Sequence, residues 1–339
     1  MKKSLTLATT HFSSIGELFA SSWTLTKLAM KNLLLLTLIM YAVVIPVVIV
    51  FGIIIVGTGI IGLATSSAQS QEAVVRALIA LLPVLFTLYF AFLAVISAIG
   101  VIHKTAMFLA VAKAEEKPSL GALIGPAFKL FMPVFVVGIL SGLFIAGGNL
   151  AFIIPGIIIS IFMSFASYEV VFEGKRNVSA INSSVTIIGQ NFSEVFVRMI
   201  VIYGLALLLS IASLVLQTVF GDSKIMVMFI SLAGTIIQTI LGWVTLAYMY
   251  LVYKEARAMT DFSKPASITW MWVTAIIGWI IFLLFVLGTF VLTKALVKSI
   301  GPDYLISEFA DELGSRSATD SATLIDGGAS VSGEMVNSK

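Results

Sequence analysis

The chain has 339 residues, of which 59% are apolar and 11% charged, with a net charge of +3 and a mean hydropathy of +1.10. Average soluble chains carry roughly 45–50% apolar and 25% charged residues, so too few charges are present to cover a water-facing surface, and lipid is the expected solvent for most of the chain. Cysteine is absent, and His11 and His103 lie far apart, which excludes disulfides, cysteine nucleophiles and a thiolate or paired-histidine metal site.

Lys2 and Lys3 give the chain a positive start, but residues 4–17 are polar and mixed. A cleaved signal peptide needs an apolar core there, so none is expected. Residues 1–32 read as a cytoplasmic N-terminus with an interfacial helix. Crossing about 30 Å of hydrocarbon takes about 20 apolar residues at 1.5 Å each. Seven runs meet that length, at 33–63, 77–102, 130–148, 151–172, 195–220, 226–253 and 268–292. They are apolar on every side and too long for barrel strands, so they are expected to be helices. Pro46 is expected to kink the first run.

Lys and Arg sort by side. Fourteen of the twenty, from Lys2 through Lys31, Lys104, Lys129, Lys175 and Arg198 to Lys264, flank one side of the spans. The opposite loops carry Arg76 and Lys224, apart from Lys294, Lys298, Arg316 and Lys339 in the C-terminal segment. The positive-inside rule then places the N-terminus in the cytoplasm and, with seven spans, the C-terminus outside. Residues 300–339 form an acidic tail, mostly small and polar from 314; from 301 it holds seven acids and two bases, a composition that reads as disorder.

Three cytoplasmic segments lead into spans in a similar way, at 14–23, 119–128 and 178–186. Each begins at or near a small polar residue and runs amphipathically toward the hydrocarbon, as an interfacial elbow helix would. Ser14 with Glu17 fits a capping box. An offset of 162 also aligns Ser21, Ser22, Thr24 and Tyr41 with Ser183, Ser184, Thr186 and Tyr203, which is read as an internal duplication, with convergence of interfacial composition as the alternative.

From Pro155 to Asn191 the residues form a pattern. Pro155-Gly156 opens an apolar run that ends in Glu173-Gly174-Lys175-Arg176, followed by Ala180, Ile181, Ser183, Ser184 and Ile187-Ile188-Gly189. This resembles the polytopic membrane domain found in glycerophosphoryl diester phosphodiesterases and related membrane proteins. Ser22-Trp23 resembles that family's N-terminal lead-in. The likeness spans residues 14–260, and Val185 stands where the family often has an aromatic. The soluble catalytic barrel is missing, so the resemblance implies a membrane domain without its catalytic partner.

Charges at membrane depth are costly and tend to mark pathways. Only Glu169 and Glu173, one turn apart at the end of span four, come near that description. They are read either as a substrate or cation site or, in preference, as structural groups. In the structural reading Glu173 caps the amides of 177–180, Glu169 reaches Lys175 or Arg198, and Arg198 snorkels to the interface. Gln217 and Gln238 are expected to bond between spans five and six, with a pore lining as the alternative. Gly138 and Gly142, with Ser160, Ser164 and Ser167, are read as the close contact of spans three and four. Phosphate loops, nucleophile elbows and His-Glu-x-x-His runs are missing.

The expectation is an all-α integral membrane protein of six to seven transmembrane helices with interfacial amphipathic elbow helices. Residues 33–299 form its polytopic membrane domain. The leading function is non-enzymatic, in envelope or lipid homeostasis or as a membrane-partner scaffold. A transporter or lipid-handling permease built from the repeat is the alternative. No cofactor is implied. Expected partners are membrane lipids and a second copy of the chain or another membrane protein, with no nucleic acid.

Overall fold

The computed structural model describes residues 11–65, 71–221 and 223–300, with side chains over 11–58, 79–221 and 223–295. The acidic tail and the first ten residues lie outside the described residues. Every described element is helical, so the chain is an all-α, multi-pass membrane protein. Seven stretches are long and apolar enough to cross a bilayer: Ile15–Thr58, Ile79–Ala112, Phe131–Ala151, Ile153–Glu173, Phe192–Val219, Lys224–Ala258 and Thr269–Ala295. They match the seven runs read from the sequence.

Helix α1 (Ile15–Thr65) runs 51 residues and passes through Pro46 without a break. Its start is local chemistry. The Ser14 N–H donates to Glu17 Oε2 at 2.9 Å and the Glu17 N–H donates to Ser14 Oγ at 3.3 Å, which satisfies two orphan amides reciprocally. Ser14→Ala is expected to speed amide hydrogen exchange in the first turn of α1, with a protection loss of about 1 kcal/mol. The first lead-in segment therefore continues straight into its span. Leu18, Ser22, Thr26, Ala29, Leu33 and Leu36 form its buried stripe, at the spacing of one helix face.

Helix α2 (Gln71–Ala112) returns, and a short 3₁₀ turn (Ala114–Glu116) follows. The second lead-in is a separate helix, α3 (Leu120–Lys129), whose cap Ser119 accepts the Ala122 N–H at 3.4 Å. Next come α4 (Phe131–Ala151), then α5 (Ile153–Met163) and α6 (Ala166–Glu173), which together make span four. The third lead-in is α7 (Asn177–Gln190). Helices α8 (Phe192–Val219), α9 (Lys224–Ala258) and α10 (Thr269–Ile300) complete the order.

The chain divides into two compact units. Of the described residues, one unit comprises those up to Val44 and those of Ile96–Phe282, the other those of Ile45–Val95 and from Leu283 to Ile300. Within the second unit the Phe51 and Phe92 rings lie 5.2 Å apart, and side chains such as Ile53, Phe86 and Leu284 point outward. The first unit holds the buried core and its polar groups.

In the first unit, the helix ends that charge placement assigns to one side gather at one end. Asn32 Nδ2 donates to the Pro118 carbonyl at 3.0 Å, and Gln190 Nε2 donates to the Asp261 and Lys264 carbonyls at 2.8 Å each. Fully buried Tyr248, Phe165, Ile187 and Ile188 form the core beneath this basic end. Helix α7 is part of that core, since Ala180, Ile181 and Ser183 through Ile188 are all buried. Its amphipathic pattern is met by protein on α4, α5 and α6, not by the headgroup layer alone.

The close contact of spans three and four is also built from other residues than expected. A side chain carbon added at Gly138 or Gly142 would meet nothing within 4 Å. Gly148 instead lies against Gly156 of α5, and Gly147 against Ala275 and Gly278 of α10. Trp279 Nε1 donates to the Leu143 carbonyl at 3.1 Å, and the Phe144 and Trp272 rings meet edge to face at 4.5 Å. Small residues allow two backbones to approach where apolar burial gives no net drive.

Candidate functional site

Span four is interrupted between α5 and α6 at Ser164-Phe165. The Ser164 N–H donates to the Ile161 carbonyl at 3.0 Å, a tightened 3₁₀ turn. Ser184 of α7 enters the gap, accepting the Phe165 N–H at 3.2 Å and donating to the Phe162 carbonyl at 2.7 Å. A side chain inserted into the ladder is a recognised cause of such a break. Ser184→Ala strands both backbone groups in a dry interior. A loss of about 1–3 kcal/mol is expected, read as a lower melting temperature in detergent together with faster exchange of the Phe165 amide.

One helical turn further, the break aims Glu169 of α6 into the interior, where it is 0% exposed. Its Oε1 accepts the Tyr253 hydroxyl at 2.8 Å and a guanidinium N–H of Arg257. Its Oε2 accepts the Ser183 hydroxyl at 2.5 Å and lies 3.0 Å from Lys175 Nζ. A carboxylate offers about four lone-pair sites, and four donors occupy them. Desolvating such a charge costs several kcal/mol unless charge and hydrogen bonds compensate, and both do so here.

The chain places these donors by simple rules. Tyr253 and Arg257 are four apart on α9 and so share one face. Ser183 precedes Ser184 on α7, so one dipeptide serves both the break and the carboxylate. Gly174 ends α6 in the left-handed region, φ 67°, and the Lys175 N–H returns to the Glu169 carbonyl at 3.2 Å. Glycine adopts that conformation without steric penalty. The reversal brings the Lys175 ammonium back over Glu169 and Ser183, 2.6 Å from the latter's Oγ.

Glu173 does not cap α7. It receives Arg257 Nη2 at 2.8 Å, while the Arg176 N–H is met by Ser179 Oγ at 3.2 Å. Glu173 is engaged by the Arg257 guanidinium instead. Of the two cations expected near Glu169, Lys175 reaches it and Arg198 does not.

Arg198 belongs to a second buried group. It is 5% exposed, so it does not snorkel. Its guanidinium donates to Glu194 and, at 2.7 Å, to the Ser13 carbonyl, and it stacks 4.5 Å from the Phe12 ring. Glu255 of α9, 2% exposed, accepts the Ser13 hydroxyl at 2.5 Å and the Ser13 N–H at 3.3 Å. The backbone just before α1 is thus clasped between α8 and α9. Glu255 lies two residues from Tyr253 and Arg257, about 200° around the helix, so one stretch of α9 feeds two separate networks.

Gln238 is exposed along an apolar groove between α8 and α9 and makes no hydrogen bond among the described residues. Gln217 donates to Ser213 of its own helix at 3.2 Å. The expected bond between these spans is therefore not formed.

Arg257, Tyr253 and Glu255 escaped the sequence reading. The signal was the Tyr-Lys-Glu-Ala-Arg run closing span six, where spacing by four separates one face from another. His103 lines an apolar cleft with Leu36, Ile99 and Phe128. No group of three or more potential metal ligands occurs among the described residues. Comparison with family models, curated proteins and solved structures returns no match.

Proposed function

We propose that this chain is a non-enzymatic membrane scaffold whose basic end presents a rigid platform to membrane partners. The saturation of Glu169 carries this reading. A carboxylate with all its acceptor sites filled by Ser183, Lys175, Tyr253 and Arg257 is built to hold helices together rather than to receive a proton, a cation or a substrate. The clefts between α4 and α10 and between α8 and α9 are lined almost wholly by apolar side chains, whereas a transport pathway needs polar groups at depth.

This reading extends to topology and kinship. We place the basic end in the cytoplasm of a cell membrane, the N-terminus with it and the tail outside, on the positive-inside rule. The resemblance to the phosphodiesterase membrane domain, without its barrel, agrees with a non-catalytic role. Cysteine-free sequence makes the topology test clean: single cysteines at Lys113 and Lys254 are expected to label from the same, cytoplasmic side. Labelling from opposite sides would overturn the arrangement.

The interruption of span four favours a second reading, a transporter. Discontinuous helices form substrate sites in such proteins, and Ser164 Oγ at the break is buried without a partner among the described residues. Flux of glycerophosphodiesters, phospholipids and monovalent cations across reconstituted liposomes separates the two. The scaffold reading expects leakage no greater than that of empty vesicles. Flux abolished by Ser164→Ala would install the transporter instead.

A further inference from the structure

A cleft of about 330 Å³ opens beside the Glu169 network at the boundary of the apolar spans. Its walls change character along α9. Tyr250, with Phe172 of α6, supplies the apolar side, and Lys254 and Arg257, each one turn further on, supply cations. Phe262 closes one flank, with Arg257 Cζ 4.9 Å and Lys175 Nζ 4.7 Å from its ring. This order, aromatic toward hydrocarbon and cationic toward water, matches an amphiphile standing in a leaflet.

The charges differ in availability. Arg257 already donates to Glu169 and Glu173, yet a guanidinium carries five N–H donors. Glu173 lines the same cleft and is held by that arginine. Lys254 is exposed, has no carboxylate partner among the described residues, and rests 5.7 Å from the Tyr250 ring. Its ammonium is therefore the open donor of the site.

We propose that this cleft binds the phosphate of an anionic glycerophospholipid, with Lys254 as the principal contact, Arg257 as the second, and the acyl chains running past Tyr250 and Phe172. The site goes beyond the scaffold reading and would stand if that reading failed, since it depends on neither the closure of the network nor the absence of flux.

The test uses the full chain in mild detergent, titrated with phosphatidylglycerol or phosphatidylcholine and followed by native mass spectrometry. Preferential retention of phosphatidylglycerol is expected. Removing one interfacial lysine is worth about fivefold in affinity, so Lys254→Ala should weaken phosphatidylglycerol binding by that factor. Lys254→Met, which keeps the stem on Tyr250, should do the same. Lys264→Ala is the control, because Lys264 lies outside the cleft and beside Asp261 at 3.6 Å. Equal retention of the two lipids would overturn the proposal. So would unchanged affinity in both Lys254 variants, or displacement of the lipid by an equal concentration of inorganic phosphate.

Discussion

Glu169→Ala is expected to leave no monodisperse protein in mild detergent, whereas Glu173→Ala should purify and melt like the parent. Removing Glu169 leaves Lys175 without a carboxylate, Arg257 with Glu173 alone, and two hydroxyls without their acceptor around an empty interior position. Breaking a buried pair by taking away one partner costs about 3–5 kcal/mol. Lys175 and Arg257 keep 32% and 23% of their side-chain exposure, so water screens part of that charge and the lower figure is the better guide. Set against a total stability of about 5–15 kcal/mol, even that is a large share. Glu173 sits at the surface, where such a pair is worth about 0–1 kcal/mol, and Arg257 retains Glu169 without it. Glu169→Gln should fall between them, because the carboxamide turns a donor toward groups that are themselves donors. Size-exclusion profiles and melting curves decide the matter. A Glu169→Ala protein that melts with the parent would show that the network does not hold α6, α7 and α9 together.

The second large effect is steric. Gly278→Ala should loosen α10 from α4 while Gly142→Ala changes nothing. The carbon added at Gly278 would fall on the Gly147 carbonyl oxygen and come within 2.8 Å of the Ala151 amide nitrogen, well inside the ~3.5–4 Å of ordinary contact. Both obstacles are backbone and neither can rotate aside, so the helices must separate. That separation also draws Trp279 from the Leu143 carbonyl and Trp272 from Phe144. Overpacking costs about 1–3 kcal/mol in ordinary cores, and lost contacts add to it. Gly142 faces open space, which makes it a control within α4 itself. A lowered melting point and faster proteolysis of the 261–268 loop in Gly278→Ala alone would bear this out. Equal behaviour of the two variants would mean that α10 does not cross α4 at this point.

These two cases divide what is readable in a membrane chain from what is not. Span positions follow from hydrocarbon thickness and need only a count of apolar residues. The Ser14–Glu17 cap and the Ser119 cap are bonds across three residues, so their partners sit in plain view along the chain. The pairing of Glu169 with Lys175 is nearly as local. Its pairing with Arg257 joins residues 88 apart, and Arg198 reaches back 185 positions to Ser13. Gly138 and Gly142 have the spacing expected of a helix contact but face nothing, while Gly147 and Gly278 have no shared motif and touch.

Local physics thus accounts for the helices, their caps and the sorting of Lys and Arg to one flank, because each depends on transfer to lipid or on neighbours within a turn. Which face of each span meets protein was decided by the tertiary structure alone. Lipid tails are as apolar as leucine, so an all-apolar helix carries no periodic mark of its buried side. The break in span four, the burial of α7 and the convergence on Glu169 therefore emerge only when the helices are set against one another.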